Sequence, residues 1–118
     1  MKLFPSAALG LAMAVMLPIG SGASASVSAA KTVYNITVTP SGVAYFFQDG
    51  GARTGVPACA ANFPNRWSFS TQTSAGQAVL ATLLSAYATN KSVVVAGNGT
   101  CDIAGDTESV AYLYIADR

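Results

Sequence analysis

Ser74-Ala75-Gly76-Gln77-Ala78-Val79-Leu80-Ala81-Thr82-Leu83-Leu84-Ser85-Ala86-Tyr87-Ala88-Thr89-Asn90 is the stretch on which the reading of this chain turns. Leu80, Leu83, Leu84 and Tyr87 recur at i, i+3, i+4 and i+7, which is the apolar stripe of an amphipathic helix. Ser74 followed three residues later by Gln77 has the spacing of a capping box, and Asn90 suits a left-handed stop. The remaining positions are mostly small and uncharged, which fits a close helix neighbour or subunit contact, with an Ala-rich solvated face as the alternative.

Strand patterns flank this helix. Lys31 to Val38 alternates and predicts a half-buried strand with Tyr34, Ile36 and Val38 inward. Pro40-Ser41-Gly42 marks a turn. Val43 to Gln48 reads as a second strand with aromatic residues on both faces. A loop rich in Gly, Pro and Asn then leads to Arg66–Ser70, a short third strand with Trp67 and Phe69 inward and Ser68 and Ser70 outward. Beyond the helix, Ser92–Ala96 carries three consecutive valines, Asn98-Gly99 signals a tight turn, and Ser109–Ile115 alternates again. The resulting order is strand, strand, strand, helix, strand, strand. It predicts a mainly β domain with one helix and matches the five-stranded Greek-key barrel of the OB fold. An open α+β sheet with one covering helix is the alternative.

The amino terminus has the order of a secretory leader. Met1 and Lys2 are followed by an apolar run from Ala7 to Ile19 and then by small residues ending in Ala23-Ser24-Ala25. Cleavage after Ala25 leaves Ser26 as the new terminus, with cleavage after Ala29 or Ala30 as the alternative. The run is short of the ~20 apolar residues that a membrane span needs. Residues 1–25 are therefore read as a signal peptide and 26–118 as a single OB-like binding domain, secreted or periplasmic. The mature chain has no membrane span.

Composition narrows the function. Of 118 residues 52% are hydrophobic, only 9% are charged, and none is histidine. With six Lys and Arg against five Asp and Glu the net charge is +1, which excludes the basic footprint of a nucleic-acid binder. The lack of His removes the usual carrier of acid–base chemistry near neutral pH and most zinc sites. No catalytic residue, no metal ligand set and no cofactor is expected, and the chain reads as a non-enzyme. Asp102, Asp106 and Glu108 are the acidic cluster, but their spacing matches no EF-hand loop. Cys59 and Cys101 are the two cysteines of a chain read as exported, so a structural disulfide between them is expected. Asn62, Asn65 and Arg66 beside the disulfide loop have the hydrogen-bonding character of sugar or peptide recognition; Trp67 reads first as a core residue beside Phe69, with a ring on which a sugar stacks as the alternative.

Tyr45-Phe46-Phe47, Cys59 in the following loop, Trp67-Ser68-Phe69-Ser70, the helix Leu80 to Tyr87 and Asn90-Lys91-Ser92-Val93-Val94-Val95 together resemble the B subunits of bacterial AB-type toxins. The likeness in layout is to subtilase cytotoxin and its relatives in particular. The chain is also similar to small exported proteins of unassigned role. The resemblance implies a homo-oligomer that binds a glycan or a cell-surface protein and associates with a catalytic A subunit. It assigns no glycan-contacting residue here. A structural or inhibitory periplasmic protein without a small ligand is the alternative.

Overall fold

The computed structural model describes residues 26–50 and 53–116, so the leader predicted over 1–25 lies outside the described residues. Five strands and one helix follow in the expected order: β1 (Val33–Val38), β2 (Val43–Gln48), β3 (Arg66–Ser70), α1 (Ser74–Ala88), β4 (Val93–Gly97) and β5 (Val110–Ile115). A 3-10 turn, Ala58–Ala60, carries Cys59. The strands form an antiparallel sheet β1–β2–β3 and a two-stranded sheet β4–β5, and no closed barrel is formed among the described residues. Isolated bridges link the two sheets. Ser68 pairs with Ser109 in parallel, while Val27 and Lys31 pair antiparallel with Ala96 and Val93.

The core lies between the sheets and under the helix, built from Val33, Ala44, Phe46, Trp67, Phe69, Leu83, Ala86, Val93 and Val95. Phe46 and Phe69 meet edge-on at 6.1 Å, an arrangement that ring quadrupoles favour. The Trp67 indole N–H donates to Gln48 Oε1 at 2.8 Å, and Gln48 Nε2 donates to the Val93 carbonyl at 2.8 Å. The two bonds give the buried Trp67 and Gln48 side chains their partners where the three-stranded sheet meets β4.

The inward face of β1 differs from the alternating pattern. Tyr34 pairs with Phe47, yet the next pairing is Thr37 with Tyr45, so β1 spends one residue more than β2. Asn35 takes up the extra residue at φ 50°, a left-handed value that Asn tolerates. The bulge reverses the alternation. Val33 is buried, Ile36 packs on the core, and Tyr34, 36% exposed, turns outward; Val38 pairs with the inward Ala44 but is 52% exposed at the end of the strand.

The helix is capped by Thr73 rather than Ser74, its hydroxyl accepting from the Gly76 N–H at 2.9 Å. At the other end Asn90 adopts φ 54° and the Lys91 N–H returns to the Ala86 carbonyl at 2.9 Å, as the left-handed stop requires. The buried stripe is Gly76, Leu83 and Ala86, with Val79 and Leu80 partly covered. Leu84 and Tyr87 are 50% and 61% exposed. The reason is Gly76: a Cβ there would stand 1.5 Å from the Ser70 carbonyl oxygen. Backbone contact with the end of β3 fixes the rotation of α1 and turns the longer side chains off the core.

Cys59 and Cys101 form a disulfide with Cα atoms 6.2 Å apart, tying the loop after β2 to the loop after β4. No helix among the described residues is long and apolar enough to cross a membrane. Both observations are consistent with an exported protein.

Candidate functional site

Alternation along β2 places Ala44, Phe46 and Gln48 inward and Val43, Tyr45 and Phe47 on the outer face of the three-stranded sheet. Because the bulge follows Tyr34, that ring also faces outward and lies directly across from Phe47. The two rings stack at 5.4 Å with planes 23° apart. Arg66, at the start of β3, pairs with Phe47 and lays its guanidinium 4.8 Å over Tyr45 and 3.6 Å over Phe63. Its Nε donates to Thr107 Oγ1 at 2.8 Å and its Nη2 to Asp106 Oδ1 at 2.9 Å. Asn65 Nδ2 donates to the Tyr34 hydroxyl at 3.2 Å. Tyr34, Phe47, Tyr45 and Phe63 thus make one aromatic surface with an amide and a guanidinium held at its edge.

A cleft of about 270 Å³ adjoins this surface beyond Asn65, with Lys31, Asp49, Gly50 and Arg53 in its lining. The Asp49 carboxylate accepts from the Gly50 N–H at 2.9 Å. Amide, carboxylate and ammonium groups around one cleft supply both donors and acceptors for a polyhydroxylated ligand. Its volume is slightly below the range usual for drug-sized ligands.

Behind the cleft wall is a polar cluster closed to solvent. Arg53 Nη2 donates to Glu108 Oε1 at 2.8 Å, with the two side chains 3% and 0% exposed. Arg53 Nε donates to Ser26 Oγ at 2.9 Å, Arg53 Nη1 to the Pro64 carbonyl, and the Ser26 hydroxyl to Glu108 Oε1. The Gly99 N–H donates to Glu108 Oε2 at 3.0 Å. Burial pulls the Arg53 pKa down from its ordinary value, while hydrogen bonding to Glu108 and its charge push it back up; the guanidinium stays charged. Gly97 is required here because a Cβ would stand 1.9 Å from Glu108 Oε2.

The four residues singled out from sequence separate into two groups. Asn65 and Arg66 reach the aromatic surface, and Asn62 is exposed in the loop that precedes it. Trp67 does not join them. It is 0% exposed, with the Arg53 guanidinium 3.6 Å over its ring, so no face is open for a sugar to stack on. Ser68, expected outward, is also fully buried. It is on the outer face, but its N–H and hydroxyl donate to the 107–108 backbone that crosses over it. The acidic trio does not converge. Glu108 faces Arg53, Asp106 faces Arg66, and Asp102 accepts from the Thr100 and Ser109 hydroxyls. No group of three or more metal-ligating side chains occurs among the described residues.

No family model, curated protein or solved structure matches this chain. The site therefore stands on its own geometry. Sequence reading missed Tyr34, Lys31 and Asp49. The outward aromatic row Tyr45 and Phe47 was visible as a pattern, but Tyr34 joins it only because the bulge comes one residue later.

Proposed function

We propose that this chain is an exported, non-catalytic binding module that recognises a glycan or another cell-surface ligand on the outer face of β1–β2–β3 and works as a homo-oligomer. The observation that carries the reading is the aromatic row Tyr34, Phe47 and Tyr45 with Asn65 and Arg66 at its rim. Aromatic faces take the apolar side of a sugar ring, and the amide and guanidinium meet its hydroxyls. A net charge of +1 suits an uncharged ligand better than a polyanion.

The connectivity supports a barrel of the OB type. The strands run β1–β2–β3, then across the parallel Ser68–Ser109 bridge to β5 and β4, and back to the first strand through the pairings of Val27 and Lys31. In that fold the face of the second and third strands is a common site for oligosaccharides and oligonucleotides. Outward-facing Tyr112 and Tyr114, together with Leu84 and Tyr87, are more than half exposed or nearly so, and an oligomer would cover such apolar area. The resemblance to toxin B subunits extends the reading to a catalytic A subunit as partner.

A glycan array probed with the oxidised protein tests this. Wild type is expected to bind a defined set of glycans, with Tyr45→Ala and Asn65→Ala losing at least ten-fold in affinity while staying folded. An array without hits, together with a monomer in sedimentation at tens of micromolar, overturns the reading in favour of a structural or inhibitory protein.

A further inference from the structure

The sequence leaves three leader cleavage points open, and the Ser26–Lys31 segment distinguishes them. Ser26 is 1% exposed and Ser28 8% exposed. The Ser26 carbonyl accepts from the Gly97 N–H at 2.8 Å, the Ser28 N–H donates to the Val95 carbonyl at 2.9 Å, and the Val95 N–H donates to the Ser28 hydroxyl at 2.9 Å. Cleavage after Ala29 or Ala30 would strip these partners from β4 and leave its buried Val95 and Gly97 amides without acceptors. It would also remove the Ser26 hydroxyl shared by Arg53 and Glu108.

The Ser26 nitrogen points at Glu108 Oε2 from 3.5 Å, a long contact for an amide. Among the described residues that oxygen otherwise takes only the Gly99 N–H, since Arg53 Nη2 and the Ser26 hydroxyl are on Oε1. We propose that the leader is cut between Ala25 and Ser26 and that the α-ammonium so released docks on Glu108 Oε2, making maturation itself complete the buried cluster. In the hydrolysis, a signal peptidase directs water at the Ala25 carbonyl. The hydroxyl goes to Ala25, the peptide bond breaks, and the departing Ser26 nitrogen takes the remaining proton and one more from solvent. A single N–H donor becomes a cation with three, and a neutral contact becomes a charge-assisted one. Glu108 then lies between two cations, Arg53 on one oxygen and the terminus on the other. The inference rests on the exported reading.

The full chain is expressed in a bacterium, and the periplasmic fraction is analysed by intact mass and amino-terminal sequencing. The native protein is then acylated briefly at neutral pH. A free α-amine has a pKa near ~8 against ~10.4 for lysine, so an undocked Ser26 amine reacts faster than exposed Lys91. The expected result is a chain beginning at Ser26 whose amine is acylated at least ten-fold more slowly in the native protein than after reduction and unfolding. Glu108→Gln is expected to remove that protection; if the variant does not fold, the native-to-unfolded contrast of wild type alone decides. A periplasmic chain beginning at Ala30 or Lys31, or equal acylation in both states, overturns the proposal and leaves export standing. An uncleaved chain held in the cytoplasm or membrane overturns export, and this proposal with it.

Discussion

The guanidinium carbon of Arg53 lies 3.6 Å above the centre of the Trp67 ring while its Nη2 donates to Glu108 at 2.8 Å. One side chain from an irregular loop thereby covers the largest core residue and neutralises a carboxylate with no exposure. Both contacts are desolvated: the cation–π contact is the stronger for it, whereas for the ion pair burial makes the loss of either partner costly, because it leaves an uncompensated charge.

Removing either partner of this pair is expected to be severe. Arg53→Ala strands the Glu108 charge and uncovers Trp67, and a loss of about 3–5 kcal/mol is expected in urea unfolding. The double variant Arg53→Met, Glu108→Leu should lose clearly less than the two single variants added together. Additive losses would show that the pair is not coupled.

The disulfide closes a loop across 42 positions. Chain entropy alone assigns such a closure roughly 4 kcal/mol, a large part of a small domain's stability. Cys59→Ser, or reduction of wild type, should lower the melting temperature sharply, as followed by circular dichroism. A shift of only a degree or two would contradict this.

Gly76→Ala reverses the usual helix rule. Alanine gains about 1 kcal/mol in helix propensity, but its Cβ would stand 1.5 Å from the Ser70 carbonyl oxygen. A net loss of stability is expected, because backbone on both sides has to move. Gly76→Ala as stable as wild type would mean that α1 and β3 are farther apart.

The helix phase makes a paired prediction. Leu83 has no exposure, so Leu83→Ala should cost about 2–5 kcal/mol. Leu84→Ala in the monomer should stay within about 0.5 kcal/mol. Comparable losses at the two positions would restore the stripe that the sequence suggests.

Acid should loosen the loop between β4 and β5. Hydrogen bonding from Ser109 holds the Asp102 carboxyl below the ordinary carboxylate range, against burial, which raises it, and with further help from Thr100. Its depressed folded pKa contributes stability above the unfolded value, and that contribution is lost as pH falls through the folded one. The stability difference between wild type and Asp102→Asn is therefore expected to narrow toward zero in strong acid. A difference that widens on acidification would reverse the sign.

Elements were legible where a pattern is local. Val43–Gln48 alternates without interruption, and Asn90 ends the helix as its left-handed tolerance suggests. The Cys59–Cys101 pairing followed from compartment and count. What escaped depends on contacts between distant positions. Tyr34 faces outward because of one extra residue at Asn35, and the phase of α1 follows from a glycine pressed on the end of another strand. Trp67 was legible as inward from its strand, but Glu108 read as a solvated turn residue until Arg53, from a loop with no periodicity, is seen to cover both. Asn65 and Arg66 were visible as polar loop-edge residues, but their aromatic neighbours come from two other strands.

On the export proposed above, the pairing of Ser26–Lys31 with β4 would fix the order of events as the chain crosses. The first residues to emerge from the translocation pore find their partners at Val93, Val95, Gly97 and Glu108, which emerge among the last. Cys59 likewise waits as a free thiol until Cys101 is through. Non-local pairing of this kind cannot form vectorially and slows folding. An exported chain of this topology would have to remain open, and its first cysteine unpaired, until nearly all of it had crossed, so that folding would be a single late closure rather than a growth from the leading end.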